Sequence, residues 1–208
     1  MKTVKSLNIF KPSEEIRNLN ILEELENNPL VSQRELSHKL NIALGLTNAY
    51  LNRMARKGWI RIQGLNRRRI GYYLTPKGFA EKAKLNLKMM ACTLQQYSEL
   101  KKIIRKRLLE MKREGIHRIV FYGVGDEMEV AYITLQGVNL KLVGIVEDDE
   151  KFKSQIIFGY ELEPVSRIRE LKSEGVLITS LAEIDPKREK LGTLIDKKKI
   201  CIKDICVS

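Results

Sequence analysis

The sequence predicts an α+β N-terminal module, a long connecting helix and an α/β parallel-sheet C-terminal module. Three observations carry this. Charge divides the chain: up to Gly115 there are 24 Lys+Arg against 10 Asp+Glu, whereas Ile116 to Ser208 carries 14 against 16, within a net charge of +12. The first half shows apolar periodicity in the order helix, helix, helix, strand, strand. The second alternates strand and helix, the order of a parallel sheet. At 208 residues there is room for two cores, and the breaks suggest boundaries at 1–76, 77–115 and 116–208.

Within the first segment, Ile16, Leu19, Leu22 and Leu25 recur at three-residue steps behind Ser13, a plausible N-cap followed by two glutamates. This predicts an amphipathic helix over 13–27, ending before Pro29. Ser32-Gln-Arg-Glu35 has the capping-box form S-x-x-E and opens a short helix with Leu36 and Leu40 toward the core. Asn41 to Leu44 supplies a turn. The next helix, from about Leu44 to Lys57, is expected to bury Leu46, Tyr50 or Leu51, and Met54. That leaves Gly45, Thr47, Asn48, Asn52, Arg53 and Arg56 on its other faces. Gly58 ends it, and Trp59–Ile62 with Ile70–Leu74 predicts a hairpin around Gln63–Arg69, three successive arginines at its tip.

Three helices and a basic hairpin in this order make a winged helix-turn-helix. Its partner is expected to be double-stranded DNA, because basic side chains that neutralise phosphates release counterions and supply much of the affinity. Short polar groups on the third helix can approach base edges, and a basic tip can enter the minor groove. The expected contacts are Ser32, Gln33 and Arg34 on the second helix, then Gly45, Thr47, Asn48, Asn52, Arg53 and Arg56 on the third. Asn66, Arg67, Arg68 and Arg69 follow on the wing. RNA or a protein surface are the alternatives, since winged helices also serve as protein-binding modules and a charge run can be a solvated face.

These stretches resemble the MarR-type winged-helix regulators, and within them the subgroup linked with exopolysaccharide genes. The resemblance covers residues 13 to about 95. It rests on Ser32-Gln-Arg-Glu-Leu36, Asn48-x-Tyr50-Leu51, Lys57-Gly-Trp-Ile60, Asn66-Arg-Arg-Arg69 and Tyr73-Leu-Thr-Pro-Lys-Gly78. It implies a dimeric transcription regulator with its third helix in the major groove.

From Pro76 to Glu114 no further proline interrupts the chain, and Met90, Leu94, Tyr97, Lys101, Ile104, Leu108 and Met111 alternate in steps of four and three. That spacing predicts a long helix with a coiled-coil seam, broken at Lys101, and hence a homodimer. The other reading lays this helix on the C-terminal module, with Leu100, Ile103 and Leu109 widening its buried face.

Beyond it, His117–Tyr122 reads as a strand running into Gly123-Val-Gly125, then a helix over Glu127–Gln136 and a strand over Leu140–Val146 that ends in Glu147-Asp-Asp149. This is the order of a dinucleotide-binding unit: glycines let the backbone approach a phosphate, and an acid some 20 residues on holds a ribose hydroxyl. Asp148 follows Gly125 by 23 residues. Met128 stands where a third glycine would be, and Asp126 with Glu127 puts two carboxylates where a pyrophosphate would sit. Val176–Ser180 and Lys199–Lys203 are expected strands, Ser166–Ser173 and Lys187–Asp196 expected helices.

Residues 116 to about 206 resemble the small Rossmann-like domain at the N-terminus of sugar-modifying and polysaccharide-biosynthesis proteins. The carrying stretches are Val120–Gly125, Val143–Asp149, Phe158–Leu162 and Val176–Ser180. The resemblance implies a nucleotide or nucleotide-sugar pocket lined by Gly123, Gly125, Asp148, Thr179 and Ser180.

Other classes find less to build on. Three cysteines lack CxxC spacing, and His38 and His117 are the sole histidines, so neither a disulfide framework nor a metal site is expected. No nucleophile and base pair suggests an enzyme. No run approaches the roughly 18 to 20 apolar residues of a membrane span, and the N-terminus lacks an apolar signal region, so a cytoplasmic protein is expected. The resulting expectation is a DNA-binding transcription regulator whose C-terminal module senses a small-molecule effector through a population shift relayed by the long helix. The rivals are constitutive DNA binding with a ligand-free interaction module, and a nucleotide-sugar enzyme with a basic appendage.

Overall fold

The computed structural model describes residues 13–66, 69–152, 155–195 and 200–205. It divides into two compact units, Met1–Thr93 and Leu94–Ser208.

In the first unit, α1 (Glu14–Asn27) starts where the Ser13 hydroxyl accepts from the Ile16 amide, and it buries Leu19, Ile21, Leu22 and Leu25. Both bonds of the predicted capping box open α2 (Gln33–Lys39): the Glu35 amide donates to Ser32 Oγ and the Ser32 amide to Glu35 Oε2. The two bonds hold the Glu35 carboxyl below its ordinary range. After Asn41, in the left-handed region at φ 50°, the chain enters α3 (Leu44–Arg56). An antiparallel hairpin follows, β1 (Ile60–Asn66) and β2 (Arg69–Leu74), with Ile60 opposite Leu74. Leu22, Leu25, Leu36, Leu51, Met54, Trp59 and Tyr72 close one core over this unit.

Two expectations for α3 are corrected. Leu46 is 40% exposed, and Thr47 is fully buried with its hydroxyl donating to the Ala43 carbonyl. The buried stripe is Thr47, Tyr50, Leu51 and Met54, the i, i+3, i+4, i+7 pattern of one helix face. A stripe through Leu46 would leave Leu51 off the core.

The long helix α4 spans Pro76–Arg113. Its start is fixed by Thr75, whose hydroxyl donates to the Gly58 carbonyl and accepts from the Gly78 amide. Gly78 is required there, since a Cβ would lie 2.0 Å from the Trp59 carbonyl oxygen. Leu85 packs into the first unit's core, whereas Ile104, Leu108 and Met111 are fully buried in the second's. The predicted seam is therefore split. Its last three members are core residues, but Met90, Leu94 and Tyr97 are exposed, as is Leu87, one step before the predicted seam.

The second unit is a mixed, mainly parallel sheet. Its strands are β3 (Arg118–Tyr122), β4 (Lys141–Val146), β5 (Ile156–Ile157), β6 (Tyr160–Glu163), β7 (Gly175–Ile178) and β8 (Cys201–Asp204). They lie in the order β5-β6-β4-β3-β7-β8, all neighbours parallel except the β5/β6 edge hairpin. Helix α5 (Asp126–Leu135) links β3 to β4, and α6 (Ile184–Leu194) links β7 to β8. Two apolar clusters, one around Phe121 and Ile145 and one around Val120 and Ile178, include alternate residues of the same strands.

The edge hairpin was not expected as strands, and the helix expected over 166–173 is a 3-10 turn at Val165–Arg167 followed by turns. Its buried anchors Val165 and Ile168 lie three apart, the repeat of the tighter helix, and Lys172 at φ 49° ends it. The predicted ends at Asp196 and Lys199 lie outside the described residues. No described helix is long and apolar enough to cross a membrane.

Candidate nucleic-acid interface and the glycine turn

The buried stripe of α3 dictates what its other face shows. At 100° per residue, Gly45, Ala49, Asn52 and Arg56 fall within about 60° of arc opposite that stripe. All four are exposed, and a Cβ on Gly45 would meet nothing within 4 Å. Asn48 lies on one flank of this row and Leu46 on the other. Asn52 Nδ2 donates to Asn48 Oδ1 at 3.0 Å, tying two consecutive turns together at the surface.

The remaining expected contacts divide into free and engaged groups. Arg34 and Arg56 are exposed. Ser32 spends its hydroxyl on the cap of α2, and Gln33 Nε2 donates to the Tyr72 hydroxyl at 2.9 Å. Arg53 holds α3 to α1: it pairs with Glu14 Oε1 at 2.7 Å, donates to Asn18 Oδ1, and lies over the Tyr50 ring. Thr47 is inside and cannot reach a base. Arg67 and Arg68 lie outside the described residues, as do the side chains of Asn66 and Arg69. The sequence reading missed Leu44, Leu46 and Ala49, which are exposed on α3. A stripe drawn through Thr47 instead of Leu46 would have found them.

The glycine turn after β3 has a different character. Gly123 sits at φ 119°, where a side chain is strained, and a Cβ there would lie 3.0 Å from Ser180 Cβ. Thr179 Oγ1 donates to the Gly123 carbonyl at 2.6 Å, so Gly123, Thr179 and Ser180 do come together. Gly125, at φ 163°, is ordinary extended backbone at the start of α5. Met128 is buried, and Asp126, Glu127 and Glu129 fill the first turn.

Glu147 occupies one donor of the turn. Its Oε2 accepts from the Val124 amide at 3.0 Å and its Oε1 from the Asp148 amide at 2.7 Å, while Lys187 Nζ bonds both oxygens at 2.8 and 2.9 Å. The pair is buried, with side chains 7% and 6% exposed. Burial opposes charging Glu147, but Lys187 and the two amides outweigh it and hold the carboxyl below its ordinary range. Asp148 accepts from the Tyr122 hydroxyl at 2.6 Å and the Val165 amide, and pairs with Lys190 at 2.9 Å. Against the cost of burial these partners lower its pKa, while burial and Asp148 raise that of Tyr122. Among the described residues no cluster of His, Cys, Asp and Glu has the makings of a metal site.

Residues 15–61 match the family of winged helix-turn-helix DNA-binding domains. That segment is a winged helix-turn-helix of the DNA-binding type. No curated protein matches the chain. Among solved structures, it is similar to the PcaV transcriptional regulator of Streptomyces coelicolor in complex with its natural ligand (17% identity, TM-score 0.36, 39% of this chain and 60% of that one). It is also similar to Streptococcus pneumoniae FabT in complex with DNA (23%, TM-score 0.32, 40% and 59%). A third is apo MarR of E. coli (22%, TM-score 0.31, 34% and 53%). The chain thus spans between about half and three fifths of these regulators. The assignment of the winged helix rests on the family match and the geometry above, not on these likenesses.

Proposed function

We propose that the protein is a MarR-type transcription regulator that binds double-stranded DNA as a homodimer through α3 and its wing. The single observation that carries this is the outer face of α3: small residues and amides look outward from a unit rich in uncompensated Lys and Arg. The exopolysaccharide association rests on the sequence stretches named above. The reading is tested by salt-titrated binding of the full-length protein to its own upstream DNA and to a scrambled duplex. Native DNA should bind more tightly, and Arg67→Ala/Arg68→Ala/Arg69→Ala should lower the log–log salt slope by about three, one per phosphate contact. Equal, weak binding to both duplexes would refute the reading.

Dimerisation is assigned to α4. Leu87, Met90, Leu94 and Tyr97 repeat at three, four and three residues and are exposed, whereas apolar rows of this kind are usually covered. Leu94→Glu should shift the protein to monomer in sedimentation velocity; an unchanged dimer would place the interface elsewhere.

For the C-terminal unit, strand order β6-β4-β3-β7-β8 with reversal at β3 supports a Rossmann-like reading, and its proposed effector is a nucleotide or nucleotide-sugar at Gly123, Gly125, Asp148, Thr179 and Ser180. A second reading, a ligand-free interaction module, is favoured by Glu147, which already fills the amide that a phosphate would use. Calorimetric titration with nucleotides and nucleotide-sugars separates the two: heat supports the effector, its absence the interaction module. No catalytic step is assigned.

A further inference from the structure

We propose that α3 reads A·T base pairs in the major groove, the linked amides of Asn48 and Asn52 taking adenine and the side chains of Ala49 and Leu46 taking the thymine methyl. This rests on the DNA-binding reading and names the sequence class it selects.

The Asn52–Asn48 bond leaves part of both amides unspent. Asn52 Nδ2 donates one of its two hydrogens and Asn48 Oδ1 accepts it, so the pair still presents both Asn48 amide hydrogens, the second Asn52 hydrogen and the Asn52 carbonyl oxygen, donors beside an acceptor. In the major groove guanine shows two acceptors, N7 and O6, whereas adenine shows an acceptor, N7, beside a donor, N6. The donors serve the N7 of either purine, but the Asn52 carbonyl oxygen meets a donor on adenine and only acceptors on guanine.

The opposite flank of the same face is apolar. Ala49 is exposed and Leu46 is 40% exposed, though a leucine on a helix of this length could have been turned into the core. The apolar feature in the major groove is the thymine C5-methyl. Gly45 lies between the amide and apolar flanks with open space above it, so the helix backbone can approach the groove floor. No Lys or Arg stands in the first two turns of α3 to reach a guanine edge; Arg53 is tied to Glu14, and Arg56 lies in the last turn. Amides on one side, apolar groups on the other and only Gly45 between them over the first two turns describe one A·T step.

The test selects binders from 30-base-pair duplexes with a random core, using the full-length protein. The winning duplex is then remade with deoxyuridine for core thymines, which removes only the methyl, and with inosine·cytosine for A·T, which keeps the minor groove but gives the major groove a G·C-like pattern. Selection should yield A·T at the α3 position. Inosine·cytosine should weaken binding roughly 5- to 150-fold, the range of one good bidentate contact. Deoxyuridine should weaken the wild type several-fold and Leu46→Ala much less. Asn52→Ala should lose discrimination between A·T and inosine·cytosine. Gly45→Gln should lower affinity without lowering the melting temperature, because its side chain meets DNA and not protein. A G·C core, indifference to both base changes, or binding with no sequence preference would overturn the proposal while leaving DNA binding intact. Failure to bind any duplex above background would overturn both.

Discussion

The outer face of α3 and the turn between β3 and α5 are two places where sequence alone pointed to ligand contact, and their polar groups have opposite fates. On α3 the Asn48 and Asn52 amides satisfy each other once and keep a donor and an acceptor outward. At the turn, the Val124 amide is taken by Glu147, Glu147 by Lys187, and Asp148 by Tyr122, Lys190 and Val165. A face that must bind leaves groups to solvent, whereas at the turn the Val124 amide and the two carboxylates are engaged from within. Motif spacing reports neither outcome, because both depend on which distant side chain reaches the motif.

The largest expected effect breaks the satisfied turn. Lys187→Met leaves a buried carboxylate without its cation, and losses of about 3 to 5 kcal/mol are typical when one member of a buried pair is removed. Amide hydrogen exchange in β3 and β7 should accelerate, while the fluorescence of Trp59, the sole tryptophan, and DNA affinity should hold. Glu147→Gln added to Lys187→Met should recover much of the loss. Acid gives the same pair a second reading. Folding depresses the Glu147 pKa from its ordinary 4.5, so the stability it contributes is present above that pH and fades as pH falls below it. In Lys187→Met this fading should weaken, since burial then favours the protonated acid. Unchanged exchange in Lys187→Met would mean the pair is dispensable to the sheet.

Much of the winged helix was legible because its signals are local. The Ser32–Glu35 box, Gly58, and the paired strands Trp59–Ile62 and Ile70–Leu74 depend on neighbours a few residues apart. The parallel pairing of the C-terminal sheet followed from alternation, but the β5/β6 hairpin did not, since Ile156–Ile157 and Tyr160–Glu163 are too short for a periodic pattern. The heptad along α4 was real as spacing and ambiguous as function. Ile104, Leu108 and Met111 found an intramolecular core, while Leu87 to Tyr97 kept the same spacing in solvent. Lys187 was invisible as a partner of Glu147, 40 residues away.

The smallest expected effect sharpens the comparison within α3 itself, between the residue read as a contact and found inside, and one read as a contact and found outside. Thr47→Val keeps the buried shape but deletes the hydroxyl bond to the Ala43 carbonyl, which still accepts from the Thr47 amide. The cost should be about 1 kcal/mol, the net worth of one hydrogen bond, seen in the Trp59 transition under urea with DNA affinity unaltered. Asn52→Ala should do the reverse, leaving the urea midpoint in place and lowering affinity. If Thr47→Val weakened DNA binding more than stability, α3 would have to turn its Thr47 face toward the groove, and the stripe through Tyr50, Leu51 and Met54 could not be the one that packs on α1 and α2.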